Sequence, residues 1–258
     1  MATATSIGRL RFPGAGVHTP WLLALWIVAL WFLALLIGNQ AYAEAIGPLK
    51  NPHNDVDAVG KALEKIGFEV TIERDADYRA MDIALKRHVR QLRSASKDAI
   101  GFFYYSGHGV ANEDTGINYL VPTDVEHARD DGFWDAAYEQ RLIINRLRDQ
   151  ADNATHYVVF DACRNELKLK TRADKKISQR KGMLPAKNSP GILIAYATAP
   201  GATASDAGDG IGPYAKILAE ELLRPGLESV MMFRNVQLRV KKAIDQEPWV
   251  TFPSLPEI

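Results

Sequence analysis

Two hydrophobic periods divide this chain. From Asn54 to Ile66, apolar Val56, Val59, Leu63 and Ile66 recur at helical spacing, with Asp57, Lys61, Glu64 and Lys65 elsewhere around the helix. Gly67 follows where a C-capping glycine is expected. Phe68–Ile72 alternates like a half-buried strand, and Arg79–Ala95 is helical again, with Met81, Leu85, Val89 and Leu92 as its stripe. Ala99–Tyr105 is a near-continuous apolar run, which suits a strand covered on both faces. Tyr157–Phe160 and Gly191–Ala197 read the same way, and Trp31–Asn39 reads as a buried strand ending in a tight turn. Ala137–Asp149, Tyr214–Arg224 and Val230–Ile244 read as helices, the last two separated by Pro225-Gly226. Strands alternating with helices predict an α/β fold, a mostly parallel sheet with helices on both faces. There is no internal repeat. Glu166–Pro190 carries eight Lys and Arg side chains, Lys168 to Lys187, without periodicity, and reads as an exposed basic loop.

The N-terminus supports two readings. Residues 1–20 are small and turn-prone, with Arg9 and Arg11 as their only formal charges. Trp21–Ile37 then runs for 17 residues without a polar side chain, and Ala41-Tyr42-Ala43 resembles a small-x-small cleavage box. The run is longer than the roughly 7–15 residues of a usual signal core and short for a membrane span of about 20. Its second half also serves as the first strand, which cleavage after Ala43 would remove. The expected division is an extension over residues 1–30, signal-like or membrane-associating through residues 21–37, and a domain over 31–258. Export or membrane association is the first expectation for localisation. A cytoplasmic protein with an apolar appendage is the alternative.

Composition narrows the class. The chain has 258 residues, 47% of them hydrophobic and 24% charged, which fits one globular domain with a real core. It excludes a disordered chain, a collagen or a coiled coil. Thirty-one basic residues balance 31 acidic ones, so no basic excess marks a nucleic-acid-binding face. Cys163 is the one cysteine, which excludes an internal disulfide framework and a multi-cysteine metal site.

Two buried strands run into unusual residues. Ser106-Gly107-His108-Gly109 follows Tyr105, and Asp161-Ala162-Cys163-Arg164-Asn165 follows Phe160. Side chains just past the carboxyl ends of parallel strands line the ligand crevice. A His and a Cys there can form the minimal thiol nucleophile, the imidazole taking the proton or holding the thiolate. The glycines around His108 would let the backbone turn sharply and approach a peptide, and the N–H groups of Gly109 and Cys163 could receive an oxyanion. Each feature also has a structural reading: a lone Cys is usually a small buried hydrophobe. His18, His53, His88, His127 and His156 form no ligand-spaced set and read as surface or local hydrogen-bonding residues. No metal site or cofactor is expected, and no EF-hand spacing occurs.

The pair at 108 and 163, 55 positions apart, resembles the caspase signature, in which the His lies about 50 residues before the Cys. The context is more similar to metacaspases and orthocaspases, the bacterial and plant-type relatives. The resemblance extends from about residue 31 to 255. It rests on Leu35–Asn39 with Tyr42, Leu49–Asp55, Gly67-Phe68, Tyr104–Gly109, Asn118–Pro122, Asp161–Asn165, Ala195–Gly201 and Gln246–Trp249, in that order. It implies a caspase-like three-layer sandwich and a cysteine endopeptidase acting on proteins or peptides. Cys163 would be the nucleophile, His108 the base and then the acid, and the Gly109 and Cys163 N–H groups the oxyanion hole. Asp55, Ser106 and Asp161 match the positions that bind a basic P1 side chain. A carboxylate two residues before the nucleophile likewise favours Arg or Lys. The structural alternatives are a helix N-cap for Asp55 and a backbone-capping carboxylate for Asp161. The basic loop would be a processing segment cut at Lys175-Lys176 or Arg180-Lys181, or simply a solvated loop. Calcium dependence stays open in such relatives. The competing function is a pseudoprotease that binds or signals without cleaving.

Overall fold

A computed structural model describes residues 31–95, 99–112, 114–127, 130–163, 167–170, 177–180, 183–184, 189–198, 210–244 and 246–251. The first strand, β1 (Phe32–Gly38), is followed by α1 (Pro52–Lys65), β2 (Glu69–Arg74), α2 (Tyr78–Ser94), β3 (Ile100–Asn112) and β4 (Ile117–Leu120). Then come α3 (Asp130–Ala136), β5 (Tyr138–Glu139), α4 (Gln140–Gln150), β6 (Thr155–Cys163), β7 (Leu167–Lys170) and β8 (Ile177–Arg180). The chain continues through β9 (Ile192–Tyr196), α5 (Pro213–Leu222), α6 (Ser229–Ile244) and β10 (Trp249–Thr251).

The main sheet runs β10-β9-β6-β3-β1-β2, parallel except for β10 on β9. Its continuous apolar strands are explained by cover on both faces. One core face takes Leu33, Leu35, Ile37, Phe103, Val158 and Phe160 against Met81, Leu85 and Val89 of α2 and Ile143 and Leu147 of α4. The other takes Ala34, Leu36, Phe102, Tyr104 and Val159 against α1, α5 and α6. This is the three-layer α/β sandwich that the alternating pattern predicts. A smaller cluster of Tyr42, Ile46, Leu49, Val110, Tyr119 and Val121 sits at the carboxyl end of the strands.

Local signals explain the boundaries. α1 ends in a Schellman turn: Gly67 adopts φ +98°, its N–H donates to the Glu64 carbonyl, and the Phe68 N–H donates to that of Leu63. The Asp77 side chain caps α2 by accepting from the Ala80 N–H at 2.6 Å.

Several expectations need correcting. β3 does not stop at Tyr105 but runs on to Asn112, because Gly109 to Asn112 find antiparallel partners in β4. Part of the basic segment is strand: β7 and β8 pair antiparallel. Lys175, Lys176 and Lys181 lie outside the described residues. His88 and His156 are buried, at 4% and 2% exposure, so neither is a surface residue, and the Nε2 of His88 has no partner among the described residues.

The apolar N-terminal run is divided. Phe32–Ile37 belongs to an inner strand with β2 on one side and β3 on the other. Removing residues up to Ala43 would therefore take out the strand that joins β2 to the rest of the sheet. No helix among the described residues is long and apolar enough to cross a membrane. Residues 1–30 lie outside the description.

Candidate active site

The ladder between β3 and β6 carries the site. Its register pairs Tyr104 with Val159, Ser106 with Asp161 and His108 with Cys163. Alternate residues of a strand share a face. Tyr104 and Val159 belong to the face covered by α1 and α5, so Ser106, Asp161 and His108 follow on that same face, with Cys163 the register partner of His108. His108 and Cys163 thus form the last rung of the ladder among the described residues instead of hanging on loops. Adjacent strands lie about 4.8 Å apart, so the two positions are immediate neighbours.

His108 is buried, at 1% exposure. Its Nε2 lies 2.7 Å from the carbonyl oxygen of Gly47. Only a protonated Nε2 can serve that acceptor, which leaves Nδ1 as the basic nitrogen of the neutral ring. The Tyr42 ring packs beside the imidazole, centroids 4.6 Å apart. The backbone of His108 is held too. Its N–H donates to the Tyr42 hydroxyl at 3.0 Å, and its carbonyl accepts from the Tyr105 hydroxyl at 2.9 Å and the Val121 N–H at 3.0 Å.

The flanking glycines serve space rather than a turn. Neither Gly107 nor Gly109 has a positive φ. A Cβ on Gly107 would stand 2.6 Å from the Tyr105 hydroxyl and 2.7 Å from that of Tyr42. One on Gly109 would stand 2.7 Å from the Cβ of Ala162. The sharp turn expected at these glycines is therefore absent, because the strand stays extended to reach β4. Gly109 pairs there with Leu120, one step beyond the last rung of the β3–β6 ladder.

The three candidate specificity residues come together. Asp55 is not an N-cap: Asn51 holds that position, and Asp55 lies inside the first turn of α1. Its carboxylate, 1% exposed, accepts from the Ser106 hydroxyl at 2.8 Å and from the Gly212 N–H at 2.6 Å. Asp161, 4% exposed, accepts from the Tyr104 hydroxyl at 2.8 Å. Burial, reinforced by the charge of Asp161, holds the neighbouring Tyr214 phenol well above its usual range. Ser106 therefore touches one buried carboxylate and is the register partner of the residue carrying the other.

The segment after β8 returns beneath this end of the sheet. Met183 is buried beside Gly109, and Leu184 exchanges two hydrogen bonds of 2.7 Å with the Asn118 side chain. Among the described residues, no three His, Cys, Asp or Glu side chains are grouped to hold a metal ion.

A family model of the caspase domain matches residues 32–257. The chain belongs to the caspase domain family. The matched region begins at the first residue of β1, so the caspase domain includes the strand that a cut after Ala43 would take away. The family is one of cysteine peptidases, which act on proteins. Comparison with curated proteins finds no match.

Sequence reasoning missed the contacts that hold His108. Gly47 acts through its carbonyl, which carries no side-chain signature. Tyr42 belongs to the family resemblance and to a motif that reads as a cleavage box, and neither reading gave it a role toward His108.

Proposed function

We propose that this caspase domain is an endopeptidase with a Cys163–His108 dyad that cleaves after Arg or Lys. The observation carrying this reading is the rung that pairs His108 with Cys163 at the end of the central ladder, with the imidazole tautomer fixed by Gly47. The Cys163 thiol gives its proton to Nδ1 of His108, and the thiolate attacks the scissile carbonyl carbon. The resulting oxyanion is received by the N–H groups of Gly109 and Cys163. The imidazolium then protonates the leaving amine as the C–N bond breaks. Water, deprotonated by the same nitrogen, releases the acyl group.

The basic preference rests on Asp55 and Asp161, two buried carboxylates beside Ser106. A desolvated carboxylate gains most from a cationic partner and rejects an acidic one. No cofactor enters this scheme. The extension over residues 1–30 is read as a membrane-associating or export segment. Of its apolar run, only Trp21–Trp31 is left outside β1, and 11 residues of helix reach about 16 Å against a hydrocarbon core of about 30 Å. Association with a membrane surface therefore fits it better than a span.

Matched peptides with P1 Arg, Lys or Asp test the activity, using the full chain and Cys163→Ala side by side. Cleavage after Arg and Lys that disappears in the variant is expected. Cleavage after Asp alone would overturn the roles of Asp55 and Asp161. No cleavage of any peptide, with or without calcium, would favour the pseudoprotease or a latent zymogen.

A further inference from the structure

We infer that Tyr42 is a positioning residue for His108, so that Ala41-Tyr42-Ala43 is part of the working site rather than a processing signal. This deepens the proposed dyad and rests on it. Tyr42 meets His108 in two independent ways. Its ring lies against the imidazole, and its hydroxyl accepts the backbone N–H of the same residue at 3.0 Å. That hydroxyl is itself held by the Val121 carbonyl at 3.1 Å and the Tyr105 hydroxyl at 3.2 Å. Tyr105 in turn donates to the His108 carbonyl. Both ends of the His108 backbone thus end on one pair of tyrosine hydroxyls, and Gly107 has no side chain because those hydroxyls fill its space.

The arrangement is needed because of where the sheet ends. β1 stops at Gly38, level with Ser106. On that side of β3, Val121, one residue past β4, donates to the His108 carbonyl, and Tyr42 from the loop that follows β1 accepts the His108 N–H. The same loop brings the Gly47 carbonyl to Nε2. It is fastened independently: the Gln40 and Ala41 N–H groups both donate to Asp75 at 2.9 Å, and His53 pairs with the same carboxylate at 2.9 Å. A tyrosine face also stabilises a cation beside it, and the ring thereby favours the imidazolium that faces a thiolate.

Cys163 is the one cysteine in the chain, so alkylation by iodoacetamide reads the dyad without peptide cleavage. The full chain, Tyr42→Phe and Tyr42→Leu are compared for alkylation rate against pH, for kcat and KM on the P1 Arg peptide, and for thermal midpoint. Tyr42→Leu removes the ring, and the pH midpoint of alkylation should rise by about half a unit or more as the imidazolium loses its support. Tyr42→Phe keeps the ring and loses the hydroxyl. Its kcat should fall about tenfold with KM within about twofold, as for a group that orients the base without binding substrate. Unchanged alkylation profiles in both variants, with only a lowered thermal midpoint, would overturn the inference and leave Tyr42 as packing. If the wild type cleaves no peptide while the Tyr42→Leu profile still moves, the positioning role stands and the endopeptidase reading falls. Mass spectrometry of the active protein should also find Tyr42 retained, and active protein beginning at Glu44 would refute the inference.

Discussion

A single methyl group at position 107 tests how tightly the base is held. Gly107→Ala would place its Cβ within 2.7 Å of two hydroxyls that hold the His108 backbone. Neither ring can retreat far, since Tyr105 is fully buried and Tyr42 nearly so. Overpacking of this kind costs about 1–3 kcal/mol, and the displaced hydroxyls carry His108 with them. Urea denaturation should show that loss, and kcat on a P1 Arg peptide should fall at least tenfold. A variant with wild-type kcat would show that the hydroxyl pair has no part in placing the base. The carboxylates invite a gentler change. Asp161→Asn keeps an oxygen for the Tyr104 donor, and Asp55→Asn keeps one for the Gly212 N–H while turning its NH2 toward the Ser106 hydroxyl, which can accept it. Each should lower kcat/KM for P1 Arg by about tenfold or more, equal to about 1.4 kcal/mol, while the thermal midpoint moves little. Equal activity in the Asn variants would show that a basic side chain is not read there.

At the scale of elements, the join between β1 and its neighbours depends on Asn39. This residue is fully buried, and its side chain donates to the Ala76 and Val121 carbonyls and accepts from the Ala76 N–H at 2.9 Å. Asn39→Ala takes the acceptor from the buried Ala76 N–H, while the Ala76 and Val121 carbonyls keep other donors, and should cost about 1–3 kcal/mol in chemical denaturation. A cost below about 1 kcal/mol would show that water replaces the side chain. Such residues also mark what the sequence discloses. Helices α1, α2, α5 and α6 were legible because packing on a sheet imposes a 3.6-residue stripe, and β1, β6 and β9 because burial on both faces demands unbroken apolar runs. The far half of β3 was not legible. Ser106, Gly107 and His108 look like a loop until β4 is known to pair with the residues after them, and that pairing is non-local. His108 and Cys163 stood out by residue type and spacing. The contacts that hold His108 did not, because a carbonyl reaches its ring and a hydroxyl its backbone N–H from a loop about 60 positions away in sequence.

For the whole molecule, acid should loosen the fold from the end of the sheet opposite the candidate site. His88 of α2 and His156 of β6 are both buried, and they are the titratable groups that face each other there. Burial, aided by the charge His156 would carry, lowers the His88 pKa to about 3, and burial lowers that of His156 as well. The Nε2 of His156 donates to the Ala151 carbonyl at 2.9 Å, whereas its Nδ1 and the Nε2 of His88 have no partner among the described residues. Both rings are therefore neutral in the folded state. Unfolding returns them to an ordinary pKa near 6.5, so the unfolded chain binds more protons below that pH. Stability is fully present above about pH 6.5 and falls steadily as the pH drops toward the folded value. At pH 4.5, His88 alone should cost about 2–3 kcal/mol, at 1.36 kcal/mol per unit of difference. The paired carboxylates Asp75, Asp82 and Glu221 are also held below their usual range, but their contribution is lost only at lower pH, where the unfolded carboxylates begin to protonate. The interval from pH 6.5 to 4.5 thus belongs to the histidines. His88→Leu keeps an apolar side chain in the core and removes the titration, so its thermal midpoint should vary much less across that interval than the wild type's. If the two profiles are parallel, protonation of His88 is not what acid does to this protein, and the cause lies elsewhere in the fold.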